Sequence, residues 1–153
     1  MNSSNKIHEV IREIIGKWRK WLALTDYTIQ AYISRTPLDS SADIRVNRKA
    51  LYARIRLDGH FLLTAPSETE RTIIHELLHL FLNPLRDWVR KVCPCLPEET
   101  AKIWVQEWED REEEIVVKLS KILLDLEKGI LQAKEPPKTK PRTPRSQKRV
   151  RPS

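Results

Sequence analysis

SETERTIIHELLHLFLN, residues 67–83, carries His75-Glu76-Leu77-Leu78-His79, an H-E-x-x-H pattern inside a run whose apolar residues recur at helical spacing. Residues four apart on a helix lie one above the other, so His75 and His79 offer two imidazoles to one point. Glu76 sits one residue round, within reach of a water held there. The pattern therefore reads as two zinc ligands and a general base. Ser67 is expected to cap the helix, Glu70 to complete a capping box, and Pro84 to stop it. Ile73, Ile74, Leu77, Leu78, Phe81 and Leu82 make the helix apolar nearly all round, which carries the histidines into the interior. A single buried histidine is ordinarily a core residue satisfied by backbone carbonyls. The full pattern is rarer: with four His and fourteen Glu in 153 residues, chance produces it in about one chain in a hundred.

The length suits one domain with enough chain to bury a core. The formal charge of +7 suggests nucleic acid until it is located. From Lys134 onward there are eight Lys/Arg and one Glu, and the residues before it balance at 20 basic and 20 acidic. The expected division is a neutral domain, 1–133, and a tail, 134–153, whose Pro- and Lys/Arg-rich composition predicts disorder. Such a tail can hold phosphates non-specifically, so the alternative to an enzyme is a non-catalytic metal-containing binding protein whose tail, 134–153, makes weak contact with nucleic acid or another acidic partner. Cys93 and Cys95, in Cys-Pro-Cys, are too close to bridge without strain and read as reduced thiols. No segment reaches the roughly 18 apolar residues of a membrane span, and charges stand where a leader would be apolar. The chain reads as cytoplasmic, without membrane contact, and as a monomer.

The elements around the motif predict an α+β fold. Ile7, Val10, Ile11, Ile14, Ile15, Trp18 and Leu22 recur at three- and four-residue steps, giving a helix over about 4–24 with one apolar face. His8 lies beside that face with no other ligand type near it. Three strands follow. Tyr27, Ile29, Ala31 and Ile33 alternate with polar neighbours, 42–48 is a weaker run, and Leu51, Ala53, Ile55 and Leu57 oppose Tyr52, Arg54 and Arg56. Alternation with one charged face predicts a small antiparallel sheet with one wet side, and Asp58-Gly59 a turn. After Pro84, residues 85–92 read as a short helix. Pro97, Glu98 and Glu99 then open a long helix to about Gly129, with Trp104, Trp108, Ile115, Leu119, Ile122 and Leu126 as its packing stripe.

A catalytic zinc normally has three protein ligands, and no histidine follows His79. The longer pattern H-E-x-x-H-x-x-G-x-x-H is excluded, since Leu82 and Leu85 stand where its Gly and its third His would be. The third ligand is then a downstream carboxylate, Cys93 or Cys95, or His60. At ~100° per residue, Glu112 falls near the centre of the stripe made by Trp108, Ile115, Val116 and Leu119, whereas Glu113 and Glu114 lie to either side. A carboxylate in an apolar face is costly unless paired or metal-bound, so Glu112 is the expected ligand. Glu109, one turn earlier, is the runner-up or a partner to a ligand imidazole; Glu113 stays open as well.

His75-Glu76-x-x-His79 followed by Glu112 on a later helix resembles the gluzincin-type zinc peptidases, in particular minimal ones and short phage and prophage metallopeptidase-like proteins. Trp21-Leu22-x-Leu24-x-Asp26-Tyr27-x-Ile29 and Glu112-Glu113-x-Ile115-Val116-x-x-Leu119 are similar to those phage proteins, over residues 7–128 in all. The resemblance implies a zincin-like fold and zinc-dependent hydrolysis of a peptide or protein substrate, with Glu76 activating water. By the same analogy the third strand, 51–57, is the expected peptide cradle. Larger gluzincins carry an acid one turn after the ligand glutamate, where this chain has Val116. Tyr27, Tyr32, Tyr52 and His60 remain open as the oxyanion stabiliser.

Overall fold

The computed structural model describes residues 3–134. The expected disorder of the tail lies outside the described residues apart from Lys134, which ends the last helix. Four helices and a three-stranded sheet make an α+β arrangement. Among the described residues, no helix is long and apolar enough to cross a membrane.

Helix α1, Ser3–Trp21, follows the three- and four-residue apolar steps and buries Ile11, Ile15 and Trp18. Strands β1 (Thr28–Ser34), β2 (Ala42–Asn47) and β3 (Tyr52–Asp58) then pair in the order β1-β3-β2. β2 runs antiparallel to β3, but β1 runs parallel to it, so the sheet is mixed and not antiparallel throughout. Alternation of apolar and polar residues records which face is buried and is silent about strand direction. The 17 residues between Ser34 and Tyr52 are long enough for a parallel return, and they hold β2 on the way. The face pattern itself holds: Ala53, Ile55 and Leu57 are buried, whereas Arg54 is exposed. Because β3 is central, both its edges are occupied, and of the two outer strands β2 is the one beside the helix that carries the histidines.

Asp58 does more than turn the chain. Its carboxylate accepts from the backbone N–H of Phe61 (2.8 Å), capping the short helix α2, Gly59–Thr64, and from that of Leu38 (2.9 Å). Those bonds hold its carboxyl below the usual range. Gly59 sits at a close approach: a Cβ there would stand 3.1 Å from the Ser34 carbonyl oxygen, tighter than an ordinary contact.

Helix α3, Thr69–Val92, is preceded by a 3₁₀ turn, Pro66–Glu68, and no side chain caps it. The expected capping box fails because Glu70 is engaged elsewhere. It accepts from Trp18 Nε1 at 2.8 Å and pairs with Lys17, answering the N–H of a fully buried indole. Pro84 does not stop α3 either; residues 85–92 continue it. An interior proline costs a helix about 3 kcal/mol. Here the later turns are held by tertiary contacts, since Arg86 reaches Glu112, Arg48 reaches Asp87, and Val89 is buried.

A second 3₁₀ turn, Cys93–Cys95, leads to α4, Glu98–Lys134, which packs against α3. Its buried line is Glu112, Val116 and Ser120, at i, i+4 and i+8. The expected stripe is displaced from it, with Trp104, Ile115, Ile122 and Leu126 exposed.

Candidate metal centre

Two successive turns of α3 bring His75 and His79 together with their Nε2 atoms 3.1 Å apart. From α4, Glu113 places Oε1 3.4 Å from His75 Nε2 and Oε2 3.4 Å from His79 Nε2. Donors sharing one tetrahedral ion at ~2.0–2.1 Å stand about 3.3–3.4 Å from one another, and each imidazole meets a different oxygen of Glu113 at that separation. His75, His79 and Glu113 form a cluster that could hold a metal ion. Burial lowers the pKa of His75 against the opposing pull of the Glu113 carboxylate, which favours the neutral, ligating imidazole.

Glu112 is fully buried, as its place on an apolar face predicts, but it is not one of the three. His79 Nδ1 donates to Glu112 Oε1 at 2.8 Å, on the edge of the ring away from His75. Arg86 adds Nε to Oε2 at 2.9 Å and Nη2 to Oε1 at 2.8 Å, and Trp108 Nε1 donates to Oε2 at 2.8 Å. Burial pushes the Glu112 carboxyl up, but the bonds from His79 and Arg86 outweigh it and leave the group below its usual range. Sequence reading expects Glu112 as the third ligand, whereas the cluster has Glu113 in that place: both oxygens of Glu112 are occupied, and its contact with Nδ1 holds the proton there, turning the Nε2 lone pair toward His75 and Glu113.

Glu76 is 6% exposed and lines a cleft of about 380 Å³ with His75, Glu113, Arg71, Phe61 and Ala42. Burial, reinforced by the charges of Asp43 and Glu113, pushes its carboxyl up to about 7, against the influence of His79. A carboxylate poised near neutrality beside ligand imidazoles can take and return a proton. On the other side, His79 lines a second cleft of about 440 Å³ with Ile44, Val46, Arg48, Arg86 and Arg90. β2 contributes to both, through Ala42 on one side and Ile44, Val46 and Asn47 on the other.

The other candidates lie elsewhere. Glu109 is about half exposed and its nearest cation is Arg90, at 3.9 Å. Cys93 is buried, Cys95 is exposed, and both are free. His60 lines a separate cleft with Ile33 and Pro37, and His8 one between α1 and β1. Tyr52 bonds Gln30 on the outer face of the sheet, with Arg54 over the rings of Tyr32 and Tyr52. Neither Tyr27, Tyr32, Tyr52 nor His60 lines the clefts beside the histidines.

Glu113, which the sequence left open behind Glu112, is the carboxylate that joins the two histidines. The available signal was Arg86, seven residues after His79 and so on the same helix face, where it supplies the cation a buried Glu112 needs without any metal. No known family, curated protein or solved structure matches the chain, so the geometry carries the functional argument.

Proposed function

We propose that the protein is a zinc-dependent peptidase of gluzincin type, with His75, His79 and Glu113 holding the ion and Glu76 acting as general base. The observation that carries this reading is the convergence of two imidazoles and one carboxylate on one point, with a buried acid beside them. Two His and one Glu form a donor set characteristic of catalytic zinc, and harder cations prefer all-oxygen sites. When bound, zinc supplies a water of lowered pKa and polarises a substrate carbonyl. Glu76 takes a proton from water at the mouth of the cleft and returns it to the leaving amine. Glu112 keeps His79 in the tautomer that ligates, and Arg86 keeps Glu112 ionised.

The free edge of β2 is the surface on which an extended peptide can add as a further strand, in place of the β3 cradle expected from sequence. Protein purified without chelator should contain about one zinc per chain and cleave a broad peptide library, and chelation should abolish cleavage. Protein that stays metal-free when zinc is supplied sinks the reading.

A further inference from the structure

The cleft beyond His79 has a chemical character that the metal centre does not explain. Arg48, Lys49, Arg86 and Arg90 line it against one acid, Asp87. Two of these cations are already neutralised: Arg86 by Glu112, and Arg48 by Asp87 at 2.6 Å. Lys49 has no acidic partner among the described residues. Arg90 is 60% exposed and reaches Glu109 only at 3.9 Å. Two cations with unspent charge therefore face a concave, polar space one side chain away from a ligand imidazole.

The cleft on the other side has the opposite sign. Glu68, Glu76 and Glu113 line it against Arg71 alone. β2 spans from one cleft to the other, and its five steps from Ala42 to Asn47 cover about 17 Å of extended chain. A peptide laid on that edge passes from an acidic cleft, over the metal ligands, to a basic one.

We propose that the groove formed by Lys49 and Arg90 is a specificity site that takes an acidic side chain of the substrate, so that the protein selects peptides bearing Glu or Asp within about three residues of the scissile bond. This rests on the peptidase reading for its substrate class. Charge complementarity carries it: Lys49 and Arg90 lack strong partners, whereas Arg86 is held by both oxygens of Glu112 and cannot turn to a ligand.

The test uses full-length, zinc-loaded Glu76→Gln protein, which should bind without turnover. The probes are two decapeptide pools, one with a single glutamate at each position in turn and the other with lysine. The glutamate pool should bind at least tenfold more tightly, and Lys49→Glu with Arg90→Glu should abolish or invert the preference without changing metal content. Lys49→Ala with Arg90→Ala serves if charge reversal impairs folding, and should reduce the preference severalfold. The basic residues after Lys134 are the same in all variants, so the difference between proteins reports the groove. Equal binding of the pools, or a preference undiminished in either double variant, overturns the proposal. Wild-type cleavage of the pools is read separately: an intact binding preference with no cleavage keeps the groove and discards the peptidase.

Discussion

Glu112 and Glu113, adjacent on α4, address opposite edges of the His79 imidazole: Glu112 Oε1 lies 2.8 Å from Nδ1, and Glu113 Oε2 lies 3.4 Å from Nε2. On the proposed reading, one step of sequence separates a residue that orients a ligand from one that offers a ligand atom. Their isosteric substitutions should therefore fail differently. Glu113→Gln should cut zinc affinity by orders of magnitude and leave metal-free melting nearly unchanged, since Glu113 is half exposed. Glu112→Gln should weaken zinc by about 10- to 100-fold. It should also cost roughly 1–3 kcal/mol, less than a fully buried pair because Arg86 is 31% exposed. Zinc titration and urea unfolding read the two effects; equal metal loss without destabilisation in Glu112→Gln would show that the assignments are reversed.

Why the wheel found the burial of Glu112 but not the role of Glu113 is a matter of neighbours. A helical wheel supposes one buried face. α4 has two inward directions, one against α3, where Glu112, Val116 and Ser120 lie, and one toward the cleft, where Glu113 and Val117 lie. The histidine pair, its helix and Glu76 were legible because i, i+4 spacing is local chemistry. Strand direction and the passage of α3 through Pro84 were not, because both are decided by contacts distant in sequence.

Lys17, Trp18 and Glu70 tie α1 to the start of α3, and Glu127 of α4 joins them, with Lys17 Nζ at 2.6 Å. Burial raises the Glu70 carboxyl, but the bonds from Lys17 and Trp18 outweigh it and hold the group below its ordinary 4.5. The unfolded chain thus binds the proton more readily, and the stabilisation is complete above about 4.5 and lost as pH falls through the lower folded value. Lys17 is raised above 10.5, so its contribution fails only in alkali. Glu70→Gln, which keeps an acceptor for Trp18, should flatten the acid limb of a melting-versus-pH profile. Glu70→Ala should cost a further ~1–3 kcal/mol at pH 7 by orphaning the indole N–H. An unchanged acid limb in Glu70→Gln would remove the ion pair from the account.

Pro84 leaves the carbonyl of Leu80 without its helical donor inside a helix that tertiary contacts hold together. Pro84→Ala should restore that bond. The gain, offset in part by a freer unfolded chain, is expected at about 1–2 kcal/mol in denaturant unfolding. Zinc affinity should not move, since the histidines precede the proline. A loss of stability would mean that α3 and its neighbours have adapted to a bend the alanine cannot keep.

The proposed reading gives catalysis to Glu76 and metal holding to His79. Glu76 lines the cleft beside His75 and Glu113 without belonging to the cluster of ligand atoms. Glu76→Gln is nearly isosteric and leaves the three ligands in place, so it should retain about one zinc per chain and melt within a degree or two of wild type with metal bound. Peptide cleavage should fall by roughly 100- to 10,000-fold, the range expected when a general base is removed. His79→Ala removes a ligand and the donor that meets Glu112. Zinc affinity should collapse, and because an ion bound only to the folded state adds stability, the zinc-dependent rise in melting temperature should disappear with it. Metal content, melting with and without zinc, and initial cleavage rates on a peptide library, measured for all three proteins, distinguish the roles. If Glu76→Gln loses zinc as readily as His79→Ala, Glu76 supports the metal and is not the base. If Glu76→Gln keeps both its zinc and the wild-type rate, the hydrolysis comes from somewhere other than this site.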